Sequence, residues 1–176
     1  IGSVETYSAM IFDLKKGQVA DNREIIRKLV ALPYKRNDLA IAAADRLGIP
    51  LLIAGEGPHR ARLERIAGRG TRFTGQVSEE EAGSLLARCA AFVFCAEEDF
   101  GIAPIEANAH GAPVIAYARG GALETMQDDR TAVFFHEQSV DAVAAAVERC
   151  LSRTWIAADL MDNAARFTPD RFREGM

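Results

Sequence analysis

Short runs of branched and aromatic apolar residues alternate along this chain with longer segments whose apolar positions recur every three or four residues. Runs of that length suit buried strands, and the three-to-four spacing marks one face of a helix. The predicted strands cover residues 29–32, 51–54, 71–74, 91–95, 113–117 and 132–135. Helical segments between them give the βαβα order of a parallel sheet covered on both faces. The expected fold class is α/β, a Rossmann-like doubly wound parallel sheet of about six strands with helices on both faces. Residues 29–176 are assigned to this domain. Residues 1–28 show no clean period and form an N-terminal segment of uncertain structure, and the seven basic and two acidic residues between Lys15 and Arg36 read as solvated surface.

The helices carry start and stop chemistry. Asn37 or Asp38 can cap a helix that presents Leu39, Ala40, Ala43, Ala44 and Leu47 on one face, and Gly48 ahead of Pro50 supplies a left-handed stop. Gly57-Pro58 places proline at a predicted first helical position. Ser78 and Glu81 form a capping box, and Ser139 caps a helix over 140–151. A further helix is predicted over 103–110, ended by Gly111 and Pro113, and Thr168-Pro169 reads as one more helix start.

The apolar fraction of 49% over 176 residues is enough for one full core. With 21 Lys and Arg against 25 Asp and Glu, the net charge of −4 lacks the positive balance that nucleic-acid binding rewards, so no nucleic acid is expected as a partner. Three cysteines without Cys-x-x-Cys spacing make neither a disulfide framework nor a thiolate metal site, and they point to a cytoplasmic setting. No apolar run approaches the roughly 20 residues of a membrane span, and the start lacks a signal-peptide pattern.

In the commonest doubly wound strand order, 3-2-1-4-5-6, a ligand crevice opens beside the loops after the first and fourth strands. Those loops are Pro33-Tyr-Lys-Arg36 and Ala96-Glu-Glu-Asp-Phe-Gly101. One brings two cations, and the other brings three carboxylates and a glycine at a helix start, where free amides attract phosphate. That combination suits a phosphorylated, hydroxyl-bearing ligand. The competing reading is that Lys35 and Arg36 pair with surface acids. Other classes drop out: Gly55-Glu-Gly57 is only a fragment of a dinucleotide fingerprint, and neither a Walker motif nor a Gly-x-Ser-x-Gly elbow occurs. Scattered histidines and adjacent acids without spaced partners imply no metal.

Glu98-Asp-Phe-Gly-Ile-Ala-Pro-Ile-Glu106 is a Glu-x7-Glu motif that starts in the loop after the fourth strand and ends inside the next helix. It resembles the retaining glycosyltransferases of family 4, which have the two-domain GT-B fold. Neighbouring pieces follow in register: Pro33-Tyr-Lys-Arg-Asn-Asp-Leu-Ala40, Ile53-Ala-Gly-Glu-Gly-Pro58, Phe73-Thr-Gly-Gln-Val-Ser78, Glu106-Ala-Asn-Ala-His-Gly-Ala-Pro-Val-Ile115 and Gly120-Gly-Ala-Leu-Glu124. Within the family, the phrasing around Lys35 and Glu98 is most similar to mannosyltransferases of surface-polysaccharide or glycolipid assembly, which use GDP-mannose; UDP-sugars stay open as donors.

The resemblance implies a role for each matching residue. Lys35 neutralises the leaving diphosphate with help from Arg36, and the amides of Gly101 and Ile102 bind phosphate oxygens. Glu106 accepts hydrogen bonds from the ribose, Glu98 is the catalytic residue beside the donor sugar, and the segment ending at Val77 lines the base pocket. The implied set needs no metal and no cofactor beyond the substrate nucleotide-sugar. Two departures stand out: the stretch before the lysine reads Leu29-Val-Ala-Leu-Pro33 where many members carry a Gly-Arg-Leu setting, and Thr131-Ala132 replaces the usual Thr-Gly. A GT-B enzyme also has an N-terminal acceptor domain, so this chain is expected to be a donor half, completed by a missing domain or a separate partner subunit. Peripheral association of the full enzyme with the inner face of a membrane is a further expectation. Two other functions compete. One is a stand-alone nucleotide or nucleotide-sugar-binding module without catalysis. The other is a hydrolytic pair of Glu98 and Glu106, which fails because glycosidase carboxylates must flank the scissile bond.

Overall fold

The structure, a computed structural model, describes residues 8–11 and 35–167. Its six-stranded sheet has the order β3-β2-β1-β4-β5-β6. The strands are β1 (Ser8–Ile11), β2 (Leu51–Ala54), β3 (Thr71–Gly75), β4 (Ala91–Phe94), β5 (Val114–Tyr117) and β6 (Ala132–Phe135). Every residue of β2, β4 and β6 is buried, as expected of strands covered on both faces. The predicted strand over 29–32 lies outside the described residues.

One correction concerns direction. The pairs β2–β3, β4–β5 and β5–β6 are parallel, but β1 runs antiparallel to both of its neighbours, with Ser8 opposite Ala54 and Ile11 opposite Ala91. A reversed strand satisfies its backbone groups equally well between two parallel halves, because antiparallel ladders exchange the same N–H and C=O pairs. The C-terminal ends of β2 to β6 therefore share one edge of the sheet, and the N-terminal end of β1 joins them.

The helices between the strands are α1 (Asn37–Leu47), α2 (Arg60–Ile66), α3 (Glu79–Leu86), α4 (Ile102–Ala109), α5 (Ala122–Thr125), α6 (Val140–Leu151) and α7 (Ala157–Ala164), followed by a 3-10 turn at Ala165–Phe167. They pack in two groups, α1 against α2 and α6, and α4 against α5 and α7. Ala40, Ala43 and Ala44 of α1 and Ala144 and Ala146 of α6 are all buried, and side chains this small let the two helices approach closely. Leu51, Leu52, Ile53, Phe92 and Ile115 fill the centre, each contributing about 1.5–3 kcal/mol by leaving water.

Local signals mostly act where they were read. The Ser78 hydroxyl accepts from the Glu81 amide at 3.2 Å, and the Glu81 carboxylate accepts from the Ser78 amide at 2.8 Å. These bonds hold the Glu81 carboxyl below its ordinary range. Ser139 accepts from the Ala142 amide at 3.2 Å, and Gly48 closes α1 at φ 63°. Two starts differ. Neither Asn37 nor Asp38 caps α1; Arg36 does, in a left-handed conformation with φ 46° and ψ 44° and with no side-chain cap. Pro58 lies ahead of α2, because the Arg60 amide first closes a turn on the Gly57 carbonyl at 3.0 Å. Helices α5 and α7 carried no cap signal, and Thr168-Pro169 lies outside the described residues.

Candidate functional site

Phe94, the last residue of β4, is the floor of the site and is buried. Lys35, just ahead of α1, places its ammonium 5.9 Å from the centre of the Phe94 ring. Glu98, in the loop after β4, forms an ion pair with that ammonium, and the side chains of Lys35 and Glu98 are only 10% and 20% exposed. Gly101 caps α4 with φ 76° and ψ 72°, and a Cβ there would lie 3.5 Å from the far edge of the same ring. A cation, a carboxylate and a helix start thus converge on one apolar surface. The low local polarity strengthens charge interactions there.

Two loops shape this cluster from outside. Gly121 donates its amide to the Glu98 carbonyl at 2.7 Å, and a Cβ on Gly121 would fall 2.5 Å from the Asp99 carbonyl oxygen. A Cβ on Gly120, where φ is 58°, would overlap the Glu98 carbonyl. Only glycine lets these backbones approach so closely. The buried Thr125 hydroxyl then fixes the loop by donating to the Gly121 carbonyl at 2.8 Å. On the opposite side, Arg36 donates to Gln138 at 3.2 Å, and Gln138 donates to the Cys95 carbonyl at 2.9 Å. This chain of bonds ties the loop of Lys35 to the strand end that launches Glu98.

Arg36 also contacts both Asp38 oxygens, at 3.2 and 3.3 Å. Ile102, at the first position of α4, is 63% exposed beside the Gly101 amide. Glu106 stands one turn further along α4 and is half-buried. The helix that carries it is anchored by Asn108, which donates to the Ala112 and Thr131 carbonyls and accepts from Asn163 of α7 at 2.9 Å. Val77 is half-buried between β3 and α3 on the same edge of the sheet. Lys35, Glu98 and Gly101 form the tight cluster, and Val77 lines the edge beyond β2. Gln138 had no motif to announce it; its one signal is its place in the loop that follows β6 at the C-terminal edge. Among the described residues, no group of three or more His, Cys, Asp or Glu could hold a metal ion.

Residues 12–167 match the family described as glycosyl transferases group 1. The chain belongs to that family. Group 1 relatives include a GDP-mannose-dependent alpha-(1-6)-phosphatidylinositol monomannoside mannosyltransferase from Mycobacterium tuberculosis, 33% identical over 138 residues, a match that covers 68% of this chain and 36% of that protein. A glycogen synthase from the same organism is 37% identical over 124 residues, covering 64% of this chain and 30% of its own length. This group 1 chain therefore spans about a third of the curated relatives it matches. Among solved structures, a sucrose-phosphate synthase from Thermosynechococcus elongatus superposes with a TM-score of 0.63 at 26% identity, covering 80% of this chain and 38% of that one.

Proposed function

We propose that this chain is the donor-binding half of a retaining, metal-independent hexosyltransferase of family 4, a mannosyltransferase that uses GDP-mannose in surface-polysaccharide or glycolipid assembly. The observation that carries the reading is the convergence of Lys35, Glu98 and the Gly101 helix start on Phe94. A nucleotide-sugar has three parts, and the site offers chemistry for each. Lys35 neutralises the departing diphosphate, and the Gly101 and Ile102 amides at the positive end of α4 donate to its oxygens. Glu106 accepts hydrogen bonds from the ribose hydroxyls, and the segment ending at Val77 lines the base pocket. Glu98 faces the donor sugar, holding its hydroxyls and easing the positive charge that grows on the anomeric carbon as the bond to diphosphate breaks. Arg36 orders the Lys35 loop through Asp38 and Gln138 and adds its own charge to the field.

The mannosyltransferase relative and the phrasing around Lys35 and Glu98 support GDP-mannose as donor. The acceptor is held by a second domain or partner subunit, with the enzyme cytoplasmic at the inner face of a membrane. No helix among the described residues is long and apolar enough to cross one.

The deciding experiment is a calorimetric titration of GDP, GDP-mannose and UDP-sugars, followed by an assay for sugar transfer. An open half-site should hold GDP with a dissociation constant of roughly 10 μM to 1 mM. Tighter binding of a UDP-sugar than of GDP-mannose would overturn the donor assignment. Transfer to an added acceptor should not occur, because positioning the acceptor hydroxyl supplies several kcal/mol of the barrier. Turnover by the purified chain alone would overturn the half-enzyme reading, and full activity restored by no partner would favour a binding module.

A further inference from the structure

The Lys35 ammonium is matched to a carboxylate of its own chain. Its side chain is 10% exposed and lies over the Phe94 ring, so an uncompensated charge there would be costly. Glu98 supplies the compensation. A diphosphate arriving at the same ammonium carries two or more negative charges and would sit against the Glu98 carboxylate, where like charges in a poorly hydrated pocket repel strongly. The two anions therefore exclude one another at Lys35.

The backbone around Glu98 indicates how the exchange takes place. The Glu98 carbonyl is held by the Gly121 amide at 2.7 Å, and the Cys95 carbonyl is held by Gln138 at 2.9 Å. With the loop pinned at both points, the carboxylate can leave Lys35 by rotating its own side chain, without moving the loop. The helix start at Gly101 stays in place throughout, because its cap lies against Phe94.

We propose that Glu98 is an internal stand-in for phosphate: its carboxylate takes the anion position on Lys35, and nucleoside diphosphate binding displaces it toward the sugar. This rests on the nucleotide reading above and adds a regulatory step to it. The ion pair lowers the apparent affinity for free nucleotide, because only the fraction of molecules with the pair open can accept a diphosphate. It also releases Glu98 toward the donor sugar only once the diphosphate is seated.

The test measures GDP and inorganic pyrophosphate binding by calorimetry to the wild-type chain, Glu98→Gln, Lys35→Ala and the double variant. Glutamine keeps the size of glutamate and removes the competing charge, so Glu98→Gln should bind GDP about tenfold tighter than wild type if the pair is closed in roughly nine molecules of ten. Pyrophosphate, which has no sugar or base, should show the same gain. The gain should vanish in the Lys35→Ala background, where there is no ammonium to compete for. A gain that persists without Lys35 would mean that Glu98 acts through its general field, and the stand-in idea would fall. Equal or weaker GDP binding by a folded Glu98→Gln, with wild type binding normally, would also overturn it while leaving the nucleotide reading intact. Absence of GDP binding by wild type and Glu98→Gln alike would remove both.

Discussion

The amide of Gly121 donates to the carbonyl of Glu98 at 2.7 Å, joining the loop after β5 to the loop after β4. The contact is possible because neither Gly120 nor Gly121 has a Cβ, which in both cases would strike the backbone of residues 98–100. The backbone position of Glu98 is therefore set by a glycine pair in the loop after a different strand.

Gly121→Ala should lower stability by about 1–3 kcal/mol, the usual range for forcing extra volume into a packed contact. The obstacle is the main chain of Asp99 and Phe100, so no side-chain rotation relieves it. Nucleotide affinity should fall as well, because the loop that shifts carries Glu98 and leads into Gly101. A denaturant melt with an unchanged midpoint would show that the approach is looser than described.

Lys35→Ala should weaken GDP binding by about 1.5–3 kcal/mol, the range for a hydrogen bond to a charged group. It should also lower stability, since the poorly hydrated Glu98 carboxylate loses the counter-charge that Lys35 supplies. Equal affinities of the two proteins in a calorimetric titration would make Lys35 a structural cation only.

Glu106→Gln should reduce affinity for GDP and shrink the preference for GDP over its 2′-deoxy analogue, because a neutral amide accepts more weakly than a carboxylate. The Asn108–Asn163 bracing of α4 should keep the fold unchanged. If discrimination between the ribo and deoxy ligands survives intact, Glu106 does not face the ribose.

Burial pushes the Cys150 thiol up to about 12 from 9.0, and burial likewise raises Cys89 well above its ordinary value. Above pH 9 the unfolded chain sheds these protons while the folded chain retains them. For Cys150 the stabilisation is therefore complete below pH 9 and is lost as pH rises toward 12, at about 1.4 kcal/mol per pH unit. Denaturant midpoints between pH 8 and 11 should fall less steeply for Cys150→Ala than for wild type. Parallel curves would contradict the burial of the thiol.

The sequence alone determined β2 to β6, the Ser78 box, the Ser139 cap and the Gly48 stop, because each depends on residues a few positions apart. Periodicity and capping are short-range physics, and the chain spells them out in order. It also placed Glu98 and Glu106 on a loop and the following helix, since a strand, a turn and a helix start fix that spacing. Only the tertiary structure decided what these residues meet. The bond from Arg36 to Gln138 crosses 102 positions of sequence, and the pairing of Lys35 with Glu98 requires β4 and the start of α1 to meet at one sheet edge. The reversed central strand belongs to the same class: Ser8–Ile11 holds its place through hydrogen bonds to β2 and β4, and an isolated four-residue run has nothing to say about the direction of its neighbours. Strand order and loop-to-loop contact arise from burying the whole sheet at once, an energy distributed over many distant residues and written in none of them singly.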